Sequence, residues 1–266
     1  MTSEQTGRVD IDKATLTYGT GGRDPFVALS ETSITLEPGL FTALLGPSGC
    51  GKSSLLNMVA GFNPPTGGSI KVDGKLITQP TADVGVVFQQ YALFPWFTAR
   101  GNVEFALKRL NIGKAERRER AIEALQDVGL GDYVERYPGE LSGGMKQRVA
   151  LARTFAATPK VLLMDEPFGA LDAFTRMSMH ELLLREWQRH KVTVLFVTHD
   201  IDEALYLADQ IHVMKRGPGR IVETFDLHDP RPRSHTVPSK EQRHVRERVF
   251  EHLLQNHQDV AEEVAA

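Results

Sequence analysis

Four short apolar runs punctuate the chain, at residues Leu40–Leu45, Val84–Phe88, Val161–Met164 and Val192–Val197. Each is continuous rather than alternating, and each runs up to a residue of special chemistry: Gly46, Gln89, Asp165 and His199. Runs of this length and pattern predict parallel strands buried on both faces. Between them the period becomes helical. Ala121, Ile122, Leu125 and Val128 share one helix face, and Leu182, Leu183, Glu186 and Trp187 share another, with charges behind. Strands alternating with helices predict an α/β core that gathers its ligands at the carboxyl ends of the strands.

Two stretches break this rhythm. Residues from about 91 to 158 read as almost all helical and predict a helical subdomain inserted into the core. Residues 8–37 and 68–78 alternate apolar and polar positions, with turn signals at Thr66-Gly-Gly68 and Val72-Asp-Gly74, and predict a small N-terminal antiparallel sheet. The folded domain is thus placed at residues 8–226. The tail, 227–266, is polar and carries Pro230, Pro232 and Pro238. Ser239 and Gln242 form a capping-box pattern, and Val245, Val249 and Leu253 a single stripe, which predicts one short helix.

Composition narrows the class. Of 266 residues 41% are apolar, enough for a sizeable core, and the net charge of −3 supplies no basic field for nucleic acid. Cys50 is the single cysteine, which excludes an intrachain disulfide and fits a reducing compartment. The polar stretch Met1–Gly7 lacks the pattern of a signal peptide. The longest apolar runs fall far short of the ~20 residues that span a bilayer. Membrane association is expected to come through a partner.

The chemistry begins at Gly46-Pro-Ser-Gly-Cys-Gly-Lys-Ser53, a full match to G-x-x-x-x-G-K-[ST], set between an expected strand and the helical run from Ser54. Glycines let backbone N–H groups wrap phosphates, and the helix start favours anions. The candidate nucleotide site is Gly46, Pro47, Ser48, Gly49, Cys50, Gly51, Lys52, Ser53 and Ser54. Lys52 suits the β- and γ-phosphates, and the Ser53 hydroxyl suits Mg²⁺. Cys50 occupies a free position of the loop, where its thiol is expected to be open to reagents. Val161–Met164 delivers Asp165 to the sheet edge as a second metal candidate, and Glu166 follows as the candidate general base for an attacking water. These features alone fit kinases, GTPases and ATPases alike.

Leu141-Ser-Gly-Gly-Met-Lys-Gln-Arg148 separates them. A helix that opens on Ser142, Gly143 and Gly144 is an anion site in its own right. With this segment the sequence resembles the ATP-binding-cassette (ABC) ATPases, whose signature is usually written LSGGQ. The resemblance runs from about Val9 to Thr224 and holds six motifs in order, adding Tyr18, Gln89, Gly169-Ala-Leu-Asp172 and His199. It implies a P-loop NTPase with a RecA-like core. It further implies that Tyr18 stacks on adenine, that Gln89 touches Mg²⁺ and relays to the membrane, that His199 contacts the γ-phosphate and orients Glu166, and that Asp172 reaches across a homodimer. ATP would be sandwiched, with Ser142, Gly143 and Gly144 facing the γ-phosphate held by the partner copy. Met145 departs from the usual glutamine; backbone donors and Ser142 are expected to carry the contact without it.

The resemblance also implies partners. Gly61-Phe62, Phe94-Pro-Trp96, the stretch Glu166–Thr175 and Gly217-Pro-Gly-Arg220 resemble the nitrate/sulfonate/taurine importer subfamily. Two integral-membrane permease subunits, a separate solute-binding protein and a peripheral place on the cytoplasmic face of the inner membrane follow from that likeness. The aromatic run Tyr91–Phe97 suits a groove for a permease helix. An ABC-type ATPase acting on DNA or the ribosome is the alternative. It usually needs a long coiled coil or two cassettes, whereas the insert between Gln89 and Ser142 is compact. A small-molecule kinase is disfavoured by the signature segment and Glu166.

Overall fold

A computed structural model describes residues 6–19 and 25–265, with side chains to residue 255. In chain order the elements are β1 (Val9–Tyr18), β2 (Phe26–Leu36), β3 (Phe41–Leu45), α1 (Lys52–Val59), β4 (Gly67–Val72), β5 (Lys75–Leu76) and β6 (Val84–Val87). Then come α2 (Ala99–Leu107), α3 (Lys114–Asp127), α4 (Gly143–Ala156), β7 (Val161–Asp165), α5 (Ala173–His190) and β8 (Thr193–Thr198). The last four are α6 (Ile201–Leu207), β9 (Gln210–Lys215), β10 (Arg220–Asp226) and α7 (Lys240–Ala265). They form two compact units, one of Met1–Thr81 with Thr193–Ala266, the other of Ala82–Val192.

The first unit holds two sheets. The antiparallel one, in the order β2-β1-β4-β5, is the small sheet expected from alternation. The other pairs β3 in parallel with β8 on one side and β9 on the other, and β10 lies antiparallel to β9. All five side chains of β3 and all six of β8 are buried, and the Phe41 and Phe196 rings meet at 5.7 Å. A fully buried strand side chain contributes about 1.5–3 kcal/mol, so strands this short persist because both faces are covered. β9 escapes a reading by apolar runs because His212 interrupts it. Burial holds that imidazole neutral, with its pKa pulled down to about 4, and Nδ1 shares a 2.8 Å hydrogen bond with Thr224 Oγ1.

The second unit joins the parallel pair β6–β7 to α2, α3, α4 and α5. Within this unit α4 packs on β6 and on α5. Regular helix in the stretch after residue 91 begins at Ala99. The segment before it is fixed by Asn102, which is fully buried. Its side chain accepts from Phe94 N at 2.8 Å and donates to the carbonyls of Phe94, Phe97 and Thr98 at 3.0–3.2 Å.

The capping box of the tail forms as written: Gln242 N donates to Ser239 Oγ, and Ser239 N to Gln242 Oε1, both at 3.0 Å. The helix it starts is long rather than short, at 26 residues. No glycine or proline lies between Lys240 and Ala265, so nothing stops the helix where its buried stripe, Val245 and Val249, runs out. Among the described residues no helix is long and apolar enough to cross a membrane.

Asn102→Ala strips four bonds from a buried loop. It is expected to lower the unfolding free energy by about 2–3 kcal/mol in urea titration; a loss within error of zero would show that the aromatic segment is held some other way.

Candidate functional site

Strand register sets the geometry of the first unit. Leu45, the last residue of β3, sits opposite Thr198 of β8 and Val213 of β9. The loop from Gly46, the turn at His199 and the end of β9 therefore leave the sheet at one carboxyl edge, where α/β sheets bind ligands. In the second unit Val87 pairs with Met164, which brings Gln89 and the Asp165-Glu166 pair to one edge in the same way.

The phosphate loop is shaped by crowding. A Cβ on Gly46 would stand 2.7 Å from the Met214 carbonyl oxygen and 2.8 Å from Cys50 Sγ. Gly49 and Gly51 take left-handed φ values of 79° and 93°, which glycine adopts at no steric cost. A side chain on Gly49 would also meet Arg216 Nη2 at 2.9 Å. From below, Gly219 lies so close that its Cβ would be 2.2 Å from the Cys50 carbonyl oxygen. Lys52 is buried, and its ammonium donates to the carbonyls of Gly46 at 2.7 Å and Pro47 at 2.9 Å. Ser48 and Ser53 are exposed, Pro47 and Ser54 half-buried. α1 starts at Lys52 behind Gly51 with no side-chain cap, and the N-terminus of a helix attracts anions.

Cys50 differs from expectation. It is fully buried, because the bare Gly46 leaves room for its sulfur to turn inward. Burial raises its pKa, against the pull of the nearby Lys52 and Arg216 charges. The thiol is thus not open to reagents in the folded loop.

Glu166 follows the last residue of β7, is half-buried and has a positive φ of 43°. A non-glycine residue held there costs on the order of 1–3 kcal/mol, and such outliers cluster at working sites. Gly169 N closes the turn onto Glu166 O at 3.3 Å. Gln89, exposed just beyond β6, brings Nε2 to 3.8 Å from where a Cβ of Gly169 would be. Asp165, Glu166, Gln89 and the Gly169 turn are thereby one neighbourhood.

The signature segment opens α4, as expected. Ser142 caps it, accepting from Met145 N at 3.3 Å, so position 145 contributes its backbone to the cap. Gly143 lies close under Tyr91, whose hydroxyl would stand 3.0 Å from a Cβ there. Asp172 caps α5, accepting from Thr175 N at 3.0 Å; that bond foremost keeps its carboxyl below the usual range. Tyr18 ends β1 as an exposed residue, placed where an aromatic side chain could meet a planar ligand. His199 is exposed. Among the described residues no three His, Cys, Asp or Glu side chains converge as a metal cage. The Ser53 hydroxyl of the first unit and the Asp165 carboxylate of the second are each of the oxygen-donor kind that Mg²⁺ takes alongside waters and substrate phosphates.

Phe94, Trp96, Phe97 and Phe105 cluster in the second unit, with centroids 4.6–6.3 Å apart. Beside them a cavity of about 370 Å³ is lined by Phe94, Phe105, Arg109, Arg153 and Ala157 among others. Residues not singled out in the sequence also shape the site: Arg216 and Gly219 at the loop, and Thr198 and Glu203 around His199. The signal for Gly219 was present in Gly217-Pro-Gly-Arg220, which by itself marks only a subfamily.

The family model described as ABC transporter matches residues 29–169. The chain is similar to the bicarbonate transport ATP-binding protein CmpD of Synechocystis sp., with 48% identity over 231 residues, 86% of this chain and 82% of that one. It is similar to the nitrate import ATP-binding protein NrtD of Synechocystis sp., with 50% identity over 210 residues and 79% of each. The taurine import ATP-binding protein TauB of Chromobacterium violaceum is 52% identical over 198 residues, 74% of this chain and 76% of its own. Among solved structures, the dimeric post-hydrolysis state of the ATP-binding cassette MJ0796 bound to ADP and Pi matches with a TM-score of 0.74. It is 33% identical and covers 84% of this chain and 100% of that one. The chain therefore belongs to the ATP-binding proteins of ABC transporters, and it is an ATPase of the kind that powers transport.

Buried Cys50, with its raised pKa, is expected to react with Ellman's reagent at pH 8 at least ~100-fold more slowly than a free thiol. Full reactivity should return in urea. Rapid labelling of the native protein would mean that the loop opens.

Proposed function

We propose that this chain is the ATP-hydrolysing subunit of an importer for a small anion, working as a homodimer on two permease subunits. The observation that carries the reading is the ordered set of motifs, each at a carboxyl strand end or a helix start as its chemistry requires. Gly46–Ser54 and Lys52 hold the phosphates, and Tyr18 stacks on the adenine. Ser53 and Asp165, with Gln89, hold Mg²⁺, which offsets phosphate charge when bound. Glu166 takes the proton of the attacking water, and His199 orients it and meets the γ-phosphate. Ser142, Gly143 and Gly144, at the N-terminus of α4, present donors to the nucleotide of the partner copy, and Asp172 reaches across the same dimer.

The solute reading rests on the relatives. Those named above carry nitrate, bicarbonate and taurine in their names, which supports a small oxyanion or sulfonate. No group of this subunit needs to recognise the solute, so a separate binding protein supplies specificity. The aromatic cluster and the cavity beside Arg109 and Arg153 support docking of a permease helix, which holds the subunit at the cytoplasmic face of the membrane.

Glu166→Gln is expected to bind Mg·ATP as the wild type does and to lose turnover by a factor of ~10²–10⁴, and ATP should trap it as a dimer on a sizing column. Hydrolysis near the wild-type rate would remove Glu166 from its role. Gly143→Asp is expected to abolish hydrolysis while leaving ATP affinity of the monomer intact. An affinity loss as large as that of Lys52→Ala would contradict the shared site. Deletion of the gene should impair growth on taurine, an alkanesulfonate or nitrate, or at limiting bicarbonate. Wild type but not Lys52→Ala should restore it; normal growth on all four would overturn the solute reading.

A further inference from the structure

His199 stands between two residues that are tied to α6. Thr198 Oγ1 donates to the buried Glu203 carboxylate at 2.7 Å and accepts from Asp200 N at 3.0 Å. Asp200 caps α6, accepting from Asp202 N at 2.8 Å and Glu203 N at 3.2 Å. The backbone on both sides of His199 is therefore tied by hydrogen bonds to the first turn of α6. α6 has seven residues, too few to be stable without tertiary contacts.

β3 and β8 pack against α6, and the chain after β10 adds hydrogen bonds and ion pairs of its own. Arg233 is 7% exposed and spends its guanidinium on backbone carbonyls. Nη1 donates to Leu205 O at 3.0 Å and to Ala208 O, Nη2 to Leu227 O at 3.4 Å and Asp229 O at 3.3 Å, and Nε to Asp229 O at 3.3 Å. Gln242 Nε2 donates to Leu205 O at 3.1 Å. Arg231 donates to Leu207 O at 2.5 Å and pairs with Asp209. His235 stacks on Tyr206 at 3.6 Å, and Arg246 meets Asp202 at 2.9 Å. Two arginines thus grip the carbonyl end of α6, the end that favours cations.

We propose that the segment 227–246 is a clamp that sets His199 through α6, and that Arg233 is its principal positioning residue. The step from Arg233 to His199 runs along one short rigid element. Arg233 holds the last turn of α6, and Asp200, Glu203 and Thr198 lock the first turn to the backbone around the imidazole. Arg233 touches no reacting atom. Its loss lets α6 shift, which misplaces His199 without disturbing the phosphate loop. The inference rests on the part in hydrolysis proposed above for His199, and the test separates the two.

The experiment is a double-mutant cycle on the full-length chain, with Arg233→Gln, His199→Ala and both together, followed under single-turnover conditions so that slow variants stay measurable. Arg233→Gln is expected to lower the hydrolysis rate about tenfold, the scale of a sub-ångström misplacement, and to leave KM for ATP within about twofold. Arg233→Lys should fall in between, since the charge stays and the fork is lost. In the His199→Ala background Arg233→Gln is expected to change the rate by less than about twofold, because the group it positions is gone. If His199→Ala hydrolyses like the wild type, the part assigned to His199 fails and the proposal with it. If His199→Ala is slow but Arg233→Gln cuts the rate by the same factor in both backgrounds, the positioning role is overturned while His199 keeps its part. A raised KM with the rate spared overturns it as well. Should Arg233→Gln fail to fold, Arg231→Gln enters the same cycle with the same expectations.

Discussion

The first unit depends on close approach of backbone to backbone beneath the phosphate loop. A Cβ on Gly46 would meet the Met214 carbonyl oxygen at 2.7 Å and one on Gly219 the Cys50 carbonyl oxygen at 2.2 Å, so neither position has room for a side chain. These contacts bring the ends of β3, β9 and the turn into β10 onto one small patch, and they force Cys50 inward. The Lys52 ammonium then ties the first two carbonyls of the loop together. A buried cation needs oxygen partners, and here the loop's own backbone provides them. The loop is preformed by packing that any added methyl group would disturb.

Parallel strands buried on both faces expose little but their ends, so in each unit chemistry belongs where they stop, β3 and β8 in the first and β6 and β7 in the second. The residues there are held with unequal firmness. Glu166 keeps a left-handed backbone that its turn to Gly169 must sustain. Asp172 and Ser142 are spent as caps of α5 and α4, which fixes their position. His199 lies between Thr198 and Asp200. Its neighbours are fastened to α6, and α6 is fastened by residues more than twenty-five positions later in the chain.

The sequence made the core and most of the site legible because both are local. A five-residue apolar run ending in Gly46 or Asp165 carries its strand, its edge and its chemistry in one short stretch. The Ser239 and Gln242 capping box was likewise readable, being a pattern of four residues. What stayed hidden was contact between distant segments. Cys50 looked exposed, since a loop position gives no hint that a glycine four residues earlier makes space for its sulfur. β9 was obscured by His212, whose neutrality depends on burial and on Thr224 across the strand pair. The length of α7 was missed because an apolar stripe bounds the packed part of a helix, not the helix. Arg233 reads as one more charge in a polar tail, and only the fold reveals the carbonyls it serves.

The bonds of Lys52 also bear on what the loop selects. The ammonium holds two neutral carbonyls, and the first N–H groups of α1 carry no side-chain cap. A ligand must offer more to both than they have. Hydrogen bonds between charged groups are worth roughly twice those to neutral acceptors, so a phosphate oxygen outcompetes a carbonyl for the ammonium. Phosphate oxygens that reach the ammonium and the helix start improve the partners of both sets of donors. The closed arrangement of the loop therefore favours a ligand with phosphate to offer, before any contact with base or sugar is counted.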